Sequence, residues 1–281
     1  MFNMFRRKIR AGECVRSHYV GDDTILLTSE QDFFVYLDGR DASITPSMLR
    51  FGMWEPDIGA FLKRNLRISG CYVDIGANVG LHVLHAARLV GSEGLVVGFE
   101  PQERLLRINE RSISANLWLD RVILRRMAIG EHEGIANLGK FAHFNGSATL
   151  TPNEAIVDRE EAPMASLAVA LGQVANEIGQ EIRPDIIKID VEGFEFEVWK
   201  GMREWSRDID RLLIVLEYSP VSYRDMGRDP LDLLKDFVNF GFTISYLTGD
   251  GKTKACNPNE WPGLARARQQ FNLVLAKGYA D

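Results

Sequence analysis

Val73-Asp74-Ile75-Gly76-Ala77-Asn78-Val79-Gly80 is the stretch that decides how this chain folds. The apolar run 71–75 ends at a turn carrying Gly76 and Gly80, and the apolar spacing over 81–90 is helical. Residues 94–99 (GLVVGF) form a second short apolar run, closed by Glu100. Strand, glycine turn, helix and strand make one β-α-β unit with two parallel strands buried on both faces. Outward from it the alternation continues, with a helix over 102–117, a strand over 121–127, strands at 186–190 and 212–217, a helix over 230–240, and strands at 242–247 and 271–276. Such a rhythm predicts an α/β fold with a doubly wound, mostly parallel sheet.

Two regions stand apart from this rhythm. Residues 1–50 are expected to form an N-terminal extension holding a β-hairpin, with apolar stretches at 25–27 and 33–37 closed by Asp38-Gly39, ahead of a main domain over 51–281 that opens with a helix over 56–66. Residues 135–171 carry short β-like pieces and the loop His143-Phe144-Asn145-Gly146-Ser147, and are expected to cover the substrate.

With 46% apolar and 26% charged residues among 281, the chain has the balance of an ordinary globular protein and not of a disordered one. Its 33 Lys and Arg against 39 Asp and Glu leave a net charge of −6, which disfavours nonspecific nucleic-acid binding. Cys14, Cys71 and Cys256 are odd in number, dispersed and without CxxC spacing, so they read as free thiols of a cytoplasmic protein. No run of about 18 uncharged apolar residues occurs, so no membrane insertion is expected. The segment MFNMFRRKIR leaves two readings open, a short amphipathic helix on a membrane surface and a frayed terminus.

The glycine turn lets backbone approach a ligand, and Glu100, twenty residues beyond Gly80, stands where an acidic side chain accepts hydrogen bonds from both hydroxyls of a ribose. A dinucleotide fingerprint needs a glycine two positions after Gly76, and Asn78 stands there instead. Asp74, just before the turn, suits a ligand bearing an ammonium or fixes the turn by accepting backbone N–H groups. An adenosine-like ligand with an ammonium is S-adenosyl-L-methionine. The alternative without any ligand makes Asp74 and Glu100 caps of their neighbouring elements.

On these residues the chain resembles the class I S-adenosylmethionine-dependent methyltransferases, and more narrowly the FkbM family, which joins a VDIGANVG-type turn to an IKIDVEG-type strand end. Both are present, at 73–80 and 187–193. Gly52-Met53-Trp54-Glu55-Pro56, Gly98-Phe99-Glu100-Pro101 and Leu216-Glu217-Tyr218 are similar to the family as well, so the likeness covers about residues 50 to 277. It implies a Rossmann-like, seven-stranded sheet ending in an antiparallel hairpin, and O-methylation of a saccharide, glycolipid or other small-molecule natural product. A nitrogen or carboxylate acceptor, and a non-catalytic subunit that keeps the donor pocket, are the alternatives. Residues 1–50 and 135–171 fit the family loosely, and acceptor choice is expected to reside there.

Methyl transfer to oxygen is an in-line displacement that needs alignment and a base. In residues 187–193, alternation puts Lys188, Asp190 and, if extension persists, Glu192 on one side. Lys188, buried in such a sheet, needs an anionic partner, for which Asp190, Glu192 and Glu217 are candidates. Either Asp190 or Glu192 takes the acceptor proton while Glu217 and Lys188 hold it in place, or the group is a structural ion-pair network. A second hypothesis has two of these carboxylates, with His143, hold Mg²⁺, although no compact metal-ligand spacing occurs. His82 and His85 on the helix after the turn, and His18 and His132 at the surface, have plainer readings.

The remaining candidates are each balanced by an ordinary structural role. Glu55 either meets the cofactor ammonium or favours a helix N-terminus. Met127, Ala128 and Ile129 either contact adenine or fill the core, and Asn145 and Ser147 either touch ligand or make a turn. Tyr218, Tyr223, Trp199 and Trp205 either offer a flat face to a sugar or pack inside. Exposed apolar residues of the N-terminal hairpin would serve a homodimer.

Overall fold

The computed structural model describes residues 16–28, 33–141, 144–149 and 156–279. The described residues open with an antiparallel sheet of β1 (Arg16–Tyr19), β2 (Thr24–Thr28) and β3 (Phe34–Asp38), followed by α1 (Ile44–Phe51) and α2 (Pro56–Asn65). The β-α-β unit comes next, as β4 (Cys71–Ile75), α3 (Leu81–Val90) and β5 (Leu95–Phe99), with α4 (Glu103–Ala115) and β6 (Val122–Arg125) after it. An inserted sheet consists of β7 (Ala128–Ile129), β8 (Gly134–Phe141), β9 (Phe144–Thr149) and β10 (Ile156–Ala165), in the order β7-β10-β8-β9. The alternation then resumes with α5 (Leu167–Ile178), β11 (Ile186–Ile189), α6 (Glu195–Ser206), β12 (Leu212–Tyr218), α7 (Pro220–Asp225) and α8 (Pro230–Asn239). β13 (Thr243–Leu247), β14 (Thr253–Ala255), α9 (Trp261–Arg266) and β15 (Phe271–Lys277) complete it.

The main sheet runs β14-β13-β15-β12-β11-β4-β5-β6. Strands β12, β11, β4, β5 and β6 are parallel, and β15 lies antiparallel between β12 and β13. This is the expected seven-stranded Rossmann-like α/β sheet with its antiparallel hairpin, extended by the three-residue edge strand β14. No helix among the described residues is long and apolar enough to cross a membrane.

Period-two alternation distributes the sheet between two cores. Val73, Ile75, Ile187 and Ile189 face α5, α6 and α8, while Tyr72, Ile186, Leu213 and Val215 face α2, α3 and α4. Leu27, Val35 and Leu37 of the N-terminal sheet and Met48 of α1 belong to that second core. The attachment is also polar: the Tyr36 N–H donates to Ser112 Oγ, the Phe34 N–H to Asn116 Oδ1, and Arg104 of α4 reaches both oxygens of the fully buried Asp38. The outer amides of Phe34 and Tyr36 on β3 are thereby satisfied by α4 and its C-cap residue.

Trp199, Tyr218 and Tyr223 are fully buried and form the interior, while Trp205 is half-buried, packing against the first core and lining a cavity away from the glycine turn with Arg183 and Tyr279. Trp199 stacks among Phe237, Phe240 and Phe242 and donates its indole N–H to Asp236. Replacing it empties the largest packed volume between α6 and α8. Trp199→Ala is expected to lower unfolding stability by about 3–5 kcal/mol, measured by urea denaturation.

Candidate active site

Two backbone facts bring the glycine turn and the end of β11 together. The Asp190 N–H donates to the Ile75 carbonyl, and a Cβ built on Gly76 would lie 1.8 Å from the Asp190 carbonyl oxygen. Gly76, at φ 85°, is therefore required by contact within the protein, not only by close approach of a ligand. Gly80, at φ 83°, begins α3, and a Cβ there would meet the amide of the buried Asn109 at 2.1 Å. It packs the turn onto α4 and does not face the cavity.

The register of β4 and β11 sets Lys188 directly beside Asp74, both on the side of the sheet that faces α2 and α3. Lys188 donates to Asp190 Oδ2 at 2.8 Å, which settles its anionic partner. Burial opposes its charge, but Asp190, Asp74 and Glu55 outweigh that and raise its pKa. Asp74 is 1% exposed, and its carboxyl is pushed above the usual range by burial in spite of Lys188. Neither of its oxygens accepts from a backbone N–H, so it does not fix the turn in that way, and its neighbouring side chains are Lys188 and Tyr72. Glu192 departs from the expected alternation, because φ 53° turns the chain out of extension immediately after β11.

Glu217, at the end of β12, points to the same place. Its carboxyl is raised well above normal by burial and by Asp190, Glu192, Glu195 and Glu55, and it accepts from Gln270 Nε2. Glu55, Asp190 and Glu217 hold carboxylate oxygens within 4.8 Å of one another, a group able to hold a cation. Burial raises the Glu55 carboxyl, but His82, Lys188 and Asn272 outweigh it and bring it to about 2. The His82 contact, Nε2 to Glu55 Oε2 at 2.8 Å, joins residues 27 positions apart, and helical spacing alone could not reveal it.

Glu100 is 3% exposed and accepts from the Asn78 N–H through Oε2 and from the Gln102 N–H through Oε1. Burial raises its carboxyl to about 7, against the pull of those two backbone donors. It lines a cavity with Gly76, Asn78, Met127, Ala128 and Leu138, the last from the inserted sheet. Asp190 and Glu192 line this cavity and also the adjoining one, where Lys188, Glu55 and Glu217 lie. The structure thus brings together Glu55, Gly76, Asn78, Glu100, Met127, Ala128, Lys188, Asp190, Glu192 and Glu217, while Asp74 lies beneath and Gly80 packs behind. His143 falls outside the described residues, as do residues 1–15 with the amphipathic segment and the side chains of Asn145 and Ser147.

Glu195 went unnoticed in the sequence. It is fully buried, and its Oε1 accepts from the Val191 and Gly193 N–H groups, which pins the loop bearing Glu192. Burial raises it to about 7. The signal was an acidic residue in the first turn of a helix starting right after the 187–193 motif.

Residues 74–256 match the family profile of the methyltransferase FkbM domain. Methyltransferase sdnD of Sordaria araneosa is 27% identical over 184 residues, covering 57% of this chain and 71% of that protein. The crystal structure of methyltransferase FkbM from Methylobacillus flagellatus KT aligns at a TM-score of 0.42 and 17% identity over 74% of this chain, which spans 43% of that structure's length. An O-methyltransferase from Bacillus cereus in complex with SAH aligns at 0.43 and 17% identity, over 79% of this chain and 80% of its own.

Lys188 is the cation that balances the buried side of the site. Lys188→Met is expected to cost about 3–5 kcal/mol in urea denaturation, because Asp74 and Asp190 lose the buried ammonium between them. Lys188→Arg, with its wider head, should recover part of that loss.

Proposed function

The chain belongs to the FkbM family of methyltransferases, and from that premise we propose that it moves the methyl group of S-adenosylmethionine to a hydroxyl of a saccharide or other small-molecule acceptor. The observation that carries this reading is the charge balance of the two adjoining cavities. Glu55, Asp190, Glu192 and Glu217 line the second, with Lys188 the one lysine or arginine among its lining residues. A donor that brings its own positive charge meets that surplus, and a nucleoside suits the neighbouring cavity, where Glu100 lies opposite Met127 and Ala128.

In this reading Glu100 accepts from the ribose hydroxyls, Gly76 and Asn78 line the nucleoside, and Glu55 receives the ammonium. Asp74 acts from below, through Lys188. The donor would supply an electrophilic methyl carbon on a sulfonium, whose C–S bond breaks as the methyl is transferred and leaves the neutral thioether. Asp190 or Glu192, the two carboxylates shared by both cavities, takes the proton from the acceptor hydroxyl as the new C–O bond forms. Lys188 holds Asp190 at a fixed point, which improves its aim. Labelled donor with a panel of hydroxylated acceptors tests the reading. Asp190→Asn or Glu192→Gln is expected to lower turnover by about 10²–10⁴-fold with uptake of S-adenosylhomocysteine retained, and near-normal turnover in both variants removes the base assignment.

A divalent ion is the second reading, favoured by the three carboxylates of Glu55, Asp190 and Glu217. Hard oxygen donors suit Mg²⁺. Lys188 already bonds one of the three, which supports the donor's charge over a metal ion as their partner. Activity is therefore expected to survive exhaustive chelation with EDTA, and activity restored only by added Mg²⁺ would select the metal.

Glu100 also sets a pH dependence. With its carboxyl near 7 before the donor arrives, the ionised form that accepts hydrogen bonds from ribose is the minority below that pH. Binding must then expel a proton, so calorimetric affinity for S-adenosylhomocysteine should fall by about tenfold per pH unit below about 7 and level off above it. Affinity that rises on acidification would contradict this role.

A further inference from the structure

His82 stands behind the carboxylate cluster, and nothing in the chemistry of transfer requires a histidine there. It is the second residue of α3, in the first turn after Gly80, and its side chain is 8% exposed. Its Nε2 lies 2.8 Å from Glu55 Oε2. Glu55 is ionised at neutral pH and can only accept, so the hydrogen sits on Nε2 and the imidazole donates.

Glu55 cannot keep its place by backbone preference. It adopts φ 42° and ψ 64° in the connection between α1 and α2, a left-handed conformation uncommon for a residue with a side chain. Its carboxylate is nevertheless brought within 4.8 Å of that of Asp190, whose charge repels it, and of the Glu217 carboxyl. The side-chain hydrogen bonds that oppose this repulsion come from His82 and Asn272, and the Lys188 ammonium assists through space. His82 is the one that ties Glu55 to the helix beginning at the glycine turn.

We propose that His82 is a positioning residue for donor binding, holding the Glu55 carboxylate where the donor's ammonium arrives. The proposal rests on the reading of Glu55 as the ammonium partner. Through this contact the turn that lines the nucleoside and the carboxylate that receives the amino acid end stay at a fixed separation. Without it, the charge of Asp190 drives Glu55 away or makes it take up a proton, and the donor loses one anionic contact. Asp190 and Glu192 are untouched, so the effect falls on donor affinity and not on proton transfer.

The test compares His82→Gln with His82→Asn in the full-length protein. Glutamine sets its amide nitrogen close to the place of Nε2, whereas asparagine is one bond shorter and falls short of Glu55. Both are neutral, polar and tolerated in a helix, so a purely structural role would treat them alike. His82→Met, which keeps the volume and donates nothing, is the second variant, and circular dichroism confirms the fold of each. S-adenosylhomocysteine is the calorimetric probe. The expected result is affinity within about threefold of the parent for His82→Gln and at least about tenfold weaker for His82→Asn and His82→Met. Adding Glu55→Gln to His82→Asn should weaken binding no further than Glu55→Gln alone, because both remove one contact. Parent-like affinity in His82→Asn, or an equal loss in His82→Gln, overturns the assignment and leaves the donor reading standing. A parent protein that takes up no S-adenosylhomocysteine at all overturns the donor reading, and this assignment with it.

Discussion

The buried ammonium of Lys188 is the interaction on which the rest of the site depends. It sits beside Asp74 across the β4–β11 register, bonds Asp190 at the strand end, and holds its charge because Glu55 adds a third negative group. Burying one cation among several anions is costly unless each group has a partner. Here that cost selects one register of the two strands, since a one-residue slip would turn Lys188 into the apolar core formed by Ile187 and Ile189. The same register presses the Asp190 carbonyl against Gly76, so the two motifs are one contact surface and not two separate sites.

Much of this was legible from periodicity. The strand 71–75 and the helix 81–90 lie where the apolar spacing puts them, because a buried parallel strand and an amphipathic helix leave unmistakable patterns. Pairing of Lys188 with an acidic neighbour followed from alternation and the cost of an unpaired buried charge. What alternation could not foresee was the left-handed turn at Glu192, a local backbone event with no hydrophobic signature. The helix over Glu195–Ser206 also escaped notice, because Glu195 and Glu197 lie on its buried side and blur the apolar stripe.

Side-chain partners distant in sequence were the least legible. Asp74 looked like a cofactor contact because it precedes the glycine turn, yet its strand position turns it beneath the turn and toward Lys188. His82 looked ordinary on a helix, yet it meets Glu55 from a different segment. Segments outside the main sheet frame the two cavities as well: Ser43 and Ile44 line the charged one, and Leu138 of the inserted sheet lines the one that holds Glu100.

The central claim is that the glycine turn and the end of β11 enclose one donor between Glu100 and the Glu55–Asp190–Glu217 cluster. A crystal structure of the full-length protein with S-adenosylhomocysteine tests it most directly. The account predicts ribose hydroxyls within hydrogen-bond distance of Glu100 and the amino group of the ligand against Glu55. A nucleoside found elsewhere, or seated here with its amino group turned away from all three carboxylates, would contradict it.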